Sequence, residues 1–153
     1  MSIPVTAGVL AVTTGGTIDK IYSLQGELEV GPPQLADLLA DVRSPKVVEI
    51  VEACRKDSRD FTDSDRNHLA RVIAGRAQRR VLVTHGTDTM VATAKALHAT
   101  SELGDRTIVL TGAFQPHALR RSDAAFNIGF ALGALALLPP GTYIAMHGTV
   151  FAA

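Results

Sequence analysis

The chain of 153 residues has one cysteine, no tryptophan, two tyrosines and five phenylalanines. A single thiol excludes an internal disulfide framework and leaves the redox compartment unread. Cys54 closes an apolar, strand-like run and lacks the neighbouring base and positive charge that a reactive thiol needs, so it reads as a buried thiol. An excess of either charge is also missing, because fifteen basic residues balance fifteen acidic ones. That excludes a dominant electrostatic partner, and neither nucleic acid nor a membrane is expected. The longest apolar run, Ile128 to Leu138, falls short of the roughly 20 residues that span a bilayer. The opening MSIPVTAGVLAV lacks the basic start and cleavage site of a signal peptide, which makes the cytoplasm the expected location. No metal-ligand spacing joins the five histidines. No dinucleotide fingerprint, phosphate loop or G-x-S-x-G elbow occurs, so no cofactor is expected.

What is present is an alternation of short β-rich runs and longer helical ones. Strands are expected at Val9–Thr13, Lys46–Ala53, Arg80–Thr84, Thr107–Thr111 and Tyr143–Met146. Helices are expected over QLADLLADV after Pro32-Pro33, from a capping-box-like Thr62 to about Gly75, from Thr87 to about Thr100, and from Ser122 to Leu138. The segment from Asp19 to Gly31 is turn-prone and has no helical period. Wholly apolar strands separated by single helices predict an α/β three-layer sandwich with a mostly parallel, flavodoxin-like, doubly wound sheet, joined by right-handed crossovers. The whole of 1–153 reads as one domain. In the last helix Ala125, Gly129 and Gly133 form a small-residue stripe, read either as packing on the sheet or as a helix contact between subunits.

In such a sheet, ligands bind beyond the carboxyl ends of the strands. The residues there are Thr14, Gly15, Gly16 and Thr17 after the first strand, and Asp57, Ser58, Arg59 and Asp60 after the second. His85, Gly86, Thr87 and Asp88 follow the third, and Gly112 and Ala113 the fourth. Thr14 precedes two glycines, which predicts a hydroxyl held exposed on a flexible turn. Thr87 and Asp88 read as the start of a helix, either as a simple cap or as part of a site.

Taken together, TTGGTIDK, DSRDFTDSD, THGTDTM and TGAFQPHALRRSDAAFN resemble, in order and separation, the motifs of the type I/II bacterial L-asparaginases, here in a short form like only the N-terminal catalytic domain. The resemblance implies hydrolysis of L-asparagine to aspartate and ammonia through a threonine acyl-enzyme. It implies Thr14 as nucleophile, Tyr22 on a mobile lid, and Thr87 with Asp88 as the proton-handling pair. Ser58 matches the residue that holds the substrate α-carboxylate, with Asp57 beside it, and Gly86, Gly112 and Ala113 match backbone positions lining the pocket. Arg59 departs from the small or amide residue usual after the serine, and is read either as an extra contact to the substrate carboxylate or as a surface arginine. The family's catalytic lysine matches a position beyond MHGTVFAA; Lys20, beside the first motif, is read either as a replacement or as a solvated loop lysine. The alternatives are a non-catalytic Asn- or Asp-binding domain and an amidohydrolase for another small amide such as glutamine. A homo-oligomer, a dimer or a dimer of dimers, is expected.

Overall fold

Five runs rich in Val, Leu, Ile and Thr become the parallel strands of one sheet. The computed structural model describes residues 8–41 and 49–153. In chain order these are β1 (Leu10–Gly15), β2 (Lys20–Tyr22), β3 (Leu28–Val30), α1 (Leu35–Asp41), β4 (Glu49–Lys56), α2 (Asp63–Ala74), β5 (Arg80–Thr84), α3 (Met90–His98), β6 (Thr107–Thr111), α4 (Ala124–Leu137), β7 (Gly141–Met146) and β8 (Thr149–Ala152). The main sheet runs β4-β1-β5-β6-β7-β8, and β8 alone is antiparallel. Numbered among themselves, the five parallel strands follow the flavodoxin-like order, with its topological switch point between β1 and β5. Alternate residues of each strand serve opposite faces. Ala11, Leu82, Val109 and Ala145 pack with α1 and α4, while Leu10, Val12, Val81, Val83, Ile108 and Leu110 pack with α2 and α3.

One crossover departs from the expected hand. The chain moves along the sheet from β4 to β5 to β6 with α2 and α3 on one face. The step from β6 to β7 continues in that direction, yet α4 lies on the opposite face, against α1. With the preceding crossovers right-handed, β6–α4–β7 is therefore left-handed, against a strong general preference. The segment between β6 and α4 makes this possible by passing over the end of the sheet. His117 N–H donates to Ile18 C=O at 3.1 Å. Asp123 accepts from the amides of Phe114 (3.0 Å) and Gln115 (2.9 Å), and from the ring of His147 (2.6 Å).

Other boundaries differ more modestly. The second strand ends at Lys56 rather than Ala53, and residues 46–48 of its expected start lie outside the described residues. The prolines at 32 and 33 precede α1 instead of opening its first turn; Val42, expected on its inner face, lies outside the described residues. α3 starts at Met90, because residues 87 and 88 form a turn. Thr62 does cap α2, in a reciprocal box with Asp65. Residues 19–31 contain a small hairpin, β2–β3, too short and exposed to leave a period-2 signature. Of the small-residue stripe of α4 only Ala125 touches the core. Ala124, Ile128, Ala131 and Leu135 pack on the sheet, while Gly129 and Gly133 are exposed and a Cβ on either would meet open space. Among the described residues no helix is long and apolar enough to cross a membrane.

The turns after β1 and β5 meet backbone to backbone. Gly16 has φ +88°, and a Cβ there would lie 2.5 Å from the Cα and N of Gly86. Both the positive φ and the lack of space demand glycine. Gly16→Ala is expected to cost about 3 kcal/mol, combining strain and overpacking. In thermal unfolding that is a fall in Tm of roughly 6–12 °C, and a variant as stable as wild type would contradict the close contact.

Asp19 anchors the base of the hairpin. Its C=O accepts from Gly31 N–H at 2.9 Å, and its Oδ1 accepts from Gln34 N–H at 2.9 Å, just before α1. The residue is 2% exposed, and Oδ2 has no partner among the described residues. Burial pushes its carboxyl up from 3.8 to about 6, against the Gln34 hydrogen bond. A raised acid pKa means that the fold favours the neutral form, so stability falls as pH rises from about 4 to 6 and stays lower above. The cost is on the order of 3 kcal/mol. Asp19→Asn is expected to raise the urea midpoint at pH 8 and leave it nearly unchanged at pH 4; equal effects at both would contradict a buried ionised carboxylate.

Candidate active site

The carboxyl ends of β4, β1 and β5 are neighbours in the sheet, and the residues that follow them build one junction. Gly15 and Gly16 turn the chain sharply, and Gly16 N–H donates to Lys56 C=O at 2.9 Å. Gly86 is pressed between Gly16 and Ser58, so that a Cβ on it would lie 2.5 Å from the Ser58 side chain. The Ser58 hydroxyl is 3.5 Å from Asp88 Oδ2, and the Thr89 hydroxyl donates to Ser58 C=O at 2.7 Å. A hydroxyl, a carboxylate and several main-chain groups from three turns are thereby fixed around one point.

Thr14 sits at this junction, but inside β1 rather than on a flexible turn. It is 1% exposed, and its hydroxyl donates to Thr84 C=O at 2.8 Å. Beneath it the Cys54 thiol points at Thr14 C=O; burial, with Asp65 nearby, raises that thiol to about 11, which leaves it unreactive. Thr87 is half-buried and Asp88 exposed. Their turn continues into α3, and Thr87 lines a largely apolar groove of about 450 Å³ with Met90, Val91, Ile144 and Phe151.

Asp57 is saturated with donors. Arg59 gives it a backbone N–H and two guanidinium N–H groups at 3.0–3.1 Å, and Lys20 Nζ lies 3.0 Å from the other side. Together the Arg59 guanidinium, its amide and Lys20 hold the Asp57 carboxyl well below the usual carboxylate range. Neither cation is free as the sequence suggested. The Arg59 fork is closed on Asp57, and Lys20 ties the hairpin to the Ser58 turn instead of standing beside Thr87. The pair with the exposed Arg59 contributes at most about 1 kcal/mol, so its use is geometric.

Not every sequence-predicted residue joins the cluster. Tyr22 ends β2 at 64% exposure, and no hydrogen bond links it to Thr14 among the described residues. Ala113 is 1% exposed, its side chain in the core beneath α4, so it could contact a ligand only through its main chain. Gly112 packs against the His85 carbonyl. Sequence reasoning missed Thr89, whose hydroxyl donates to Ser58 C=O, although it lies within THGTDTM; His85, which it set on the rim, is buried behind it. Thr17, the part-exposed last residue of TTGGT, was set on the rim without a role. Among the described residues no three His, Cys, Asp or Glu side chains gather as metal ligands.

Residues 8–153 match the family described as Asparaginase, N-terminal. L-asparaginase 1 of Escherichia coli is 34% identical over 134 residues, which cover 82% of this chain and 39% of that protein. A component of the glutamyl-tRNA(Gln) amidotransferase of Pyrobaculum aerophilum is 30% identical over 148 residues, 92% of this chain and 35% of that one. The thermostable L-asparaginase of Thermococcus kodakarensis superposes with a TM-score of 0.83 at 26% identity, covering 95% of this chain and 46% of its own. The chain thus spans less than half the length of each. Family match and fold agree, and the chain belongs to the asparaginase family, over the part described as its N-terminal domain.

Proposed function

We propose that the junction of β4, β1 and β5 binds L-asparagine and hydrolyses its side-chain amide to aspartate and ammonia through an acyl-enzyme on Thr14. The observation that carries this reading is the Gly16–Gly86–Ser58 contact, which brings the turns of Ser58 and Asp88 against the end of β1, where Thr14 lies. A free amino acid is a zwitterion, and the rim offers a group for each end: the Ser58 hydroxyl for the carboxylate, and Asp88 for the ammonium. Thr14 attacks the amide carbon once its hydroxyl turns away from Thr84 C=O, a single χ1 rotation. Its proton passes towards Thr87, which Asp88 orients, and on to the leaving nitrogen. The oxyanion is met by main-chain N–H groups of the surrounding turns. Ammonia leaves, and water then attacks the ester and frees Thr14.

The sealed hydroxyl of Thr14 favours one competing reading, an Asn- or Asp-binding domain without turnover. Enzyme-coupled ammonia release separates the two. The reaction is expected with Asn and, more weakly, with Gln; Thr14→Ala abolishes it, and Ser58→Ala raises KM about tenfold or more, the effect of losing a hydrogen bond to a charged group. Aspartate that raises Tm without any turnover would establish the binding reading instead, and neither effect would contradict both.

We also propose that a second copy of the chain covers the outer face of α4. The helix carries no charged residue from Ala124 to Leu137, yet Phe126 is 60% and Leu137 73% exposed. Helices apolar on all sides are normally buried. An antiparallel copy related by a two-fold axis between Gly129 and Phe130 would seat Phe126 over Gly133 and Phe130 over Gly129. The same axis brings the exposed Arg120-Arg121 pair to the partner helix's negative C-terminal end. Sedimentation velocity at tens of micromolar is expected to show a dimer, and Phe126→Glu with Leu137→Glu a monomer. A monomeric wild type would overturn this association.

A further inference from the structure

His85 is buried directly behind the junction, 1% exposed, and takes no part in the proposed chemistry. Its surroundings nevertheless fix the direction of every hydrogen bond it makes. Arg66 Nε can only donate, and does so to the Thr93 hydroxyl at 3.2 Å. That hydroxyl has one proton to give and lies 2.9 Å from His85 Nε2. A ring nitrogen that accepts carries no proton, so the single proton of the neutral imidazole is on Nδ1. Nδ1 is 2.8 Å from Gly86 C=O and donates to it. Phe61 meets the ring edge to face at 4.6 Å, and the Arg66 guanidinium lies over that phenyl group at 5.7 Å. The backbone N–H of His85 is held by Thr111 C=O at 2.9 Å. The ring can neither turn over nor shift without breaking this set.

We propose that Arg66, Thr93 and His85 form a polarised relay that fixes the Gly86–Thr87 peptide plane, making His85 a positioning residue for Thr87. The inference rests on reading Thr87 as a proton-handling group of the site. The carbonyl held by Nδ1 belongs to the peptide unit whose N–H is that of Thr87, so its tilt sets where Thr87 and Asp88 begin. Burial lowers the imidazole from 6.5 to about 4; the Gly86 carbonyl opposes this, and the charge of Arg66 adds to it. The ring therefore stays neutral, and the relay keeps its direction, throughout the neutral range.

Two readouts test the relay. In a multiple-bond 1H–15N correlation spectrum at pH 7, His85 is expected as the Nδ1–H tautomer; the Nε2–H tautomer would overturn the proposal outright. Thr93→Val removes the donor while keeping the buried shape. It is expected to shift the His85 Nε2 resonance, displace the Thr87 amide resonance and lower kcat by about fivefold or more through misplacement. KM is expected to stay within about twofold, and Thr93→Ser to restore all three readouts. Unchanged kcat in a Thr93→Val variant of an active wild type would overturn the positioning role. A wild type with no turnover would sink the catalytic reading alone; the relay would then stand or fall on the tautomer and the Thr87 resonance. Should Thr93→Val fail to fold, Arg66→Met at the outer end of the relay takes its place.

Discussion

Everything at the rim depends on the close approach of Gly16 to Gly86. Two turns on adjacent strands can touch backbone to backbone only if neither carries a side chain, and here a Cβ on either residue would collide with its neighbour. Contact between these turns draws the Ser58 turn in behind Gly86 and leaves the Asp88 carboxylate beside the Ser58 hydroxyl. The switch point of a doubly wound sheet is where the crossovers part to opposite faces and leave a crevice. In this protein the glycines let the turns after β1 and β5 close on each other at that point.

The left-handed crossover shapes what surrounds it. By carrying α4 to the face of α1, it draws residues 112–123 across the top of the sheet. Asp123 then becomes the clamp of that segment. Burial opposes the charge on Asp123, but the Phe114 amide, the His147 ring and the Gln115 amide outweigh it and hold the carboxyl below its ordinary value. On the face that α4 leaves, α3, β7 and β8 border an open apolar groove that runs up to Thr87. On the face it joins, its own outer side is uncovered. An uncharged helix with an exposed phenylalanine and leucine and bare glycines is the expected sequence of a contact surface, and an unexpected one for a solvated face.

The sequence made the parallel strands legible because residues buried on both faces must be apolar without a break, as in VLAVT, RVLVT and TIVLT. The cap on α2 was legible because Thr62 and Asp65 stand at the spacing the box requires. Handedness was not, since α4 is apolar all round and its sequence does not say which face of the sheet it serves. Nor was the start of α3: Thr87 and Asp88 look like a helix cap, but Gly86 is taken up in the contact with Gly16 and Ser58, and the following turn is spent on the rim. The pairing of Arg59 with Asp57 across one residue, and the burial of the Thr14 hydroxyl, are set by the local turn and by Thr84 on the adjacent strand. Composition and periodicity carry no trace of either.

A crystal structure of the protein soaked with L-aspartate tests the central claim most directly. The account places the ligand's α-carboxylate on Ser58, its ammonium on Asp88 and its side-chain carboxylate against Thr14, with the Thr14 hydroxyl turned away from Thr84 C=O. An unoccupied junction at saturating aspartate, or aspartate bound with Thr14 still sealed against Thr84, would contradict it.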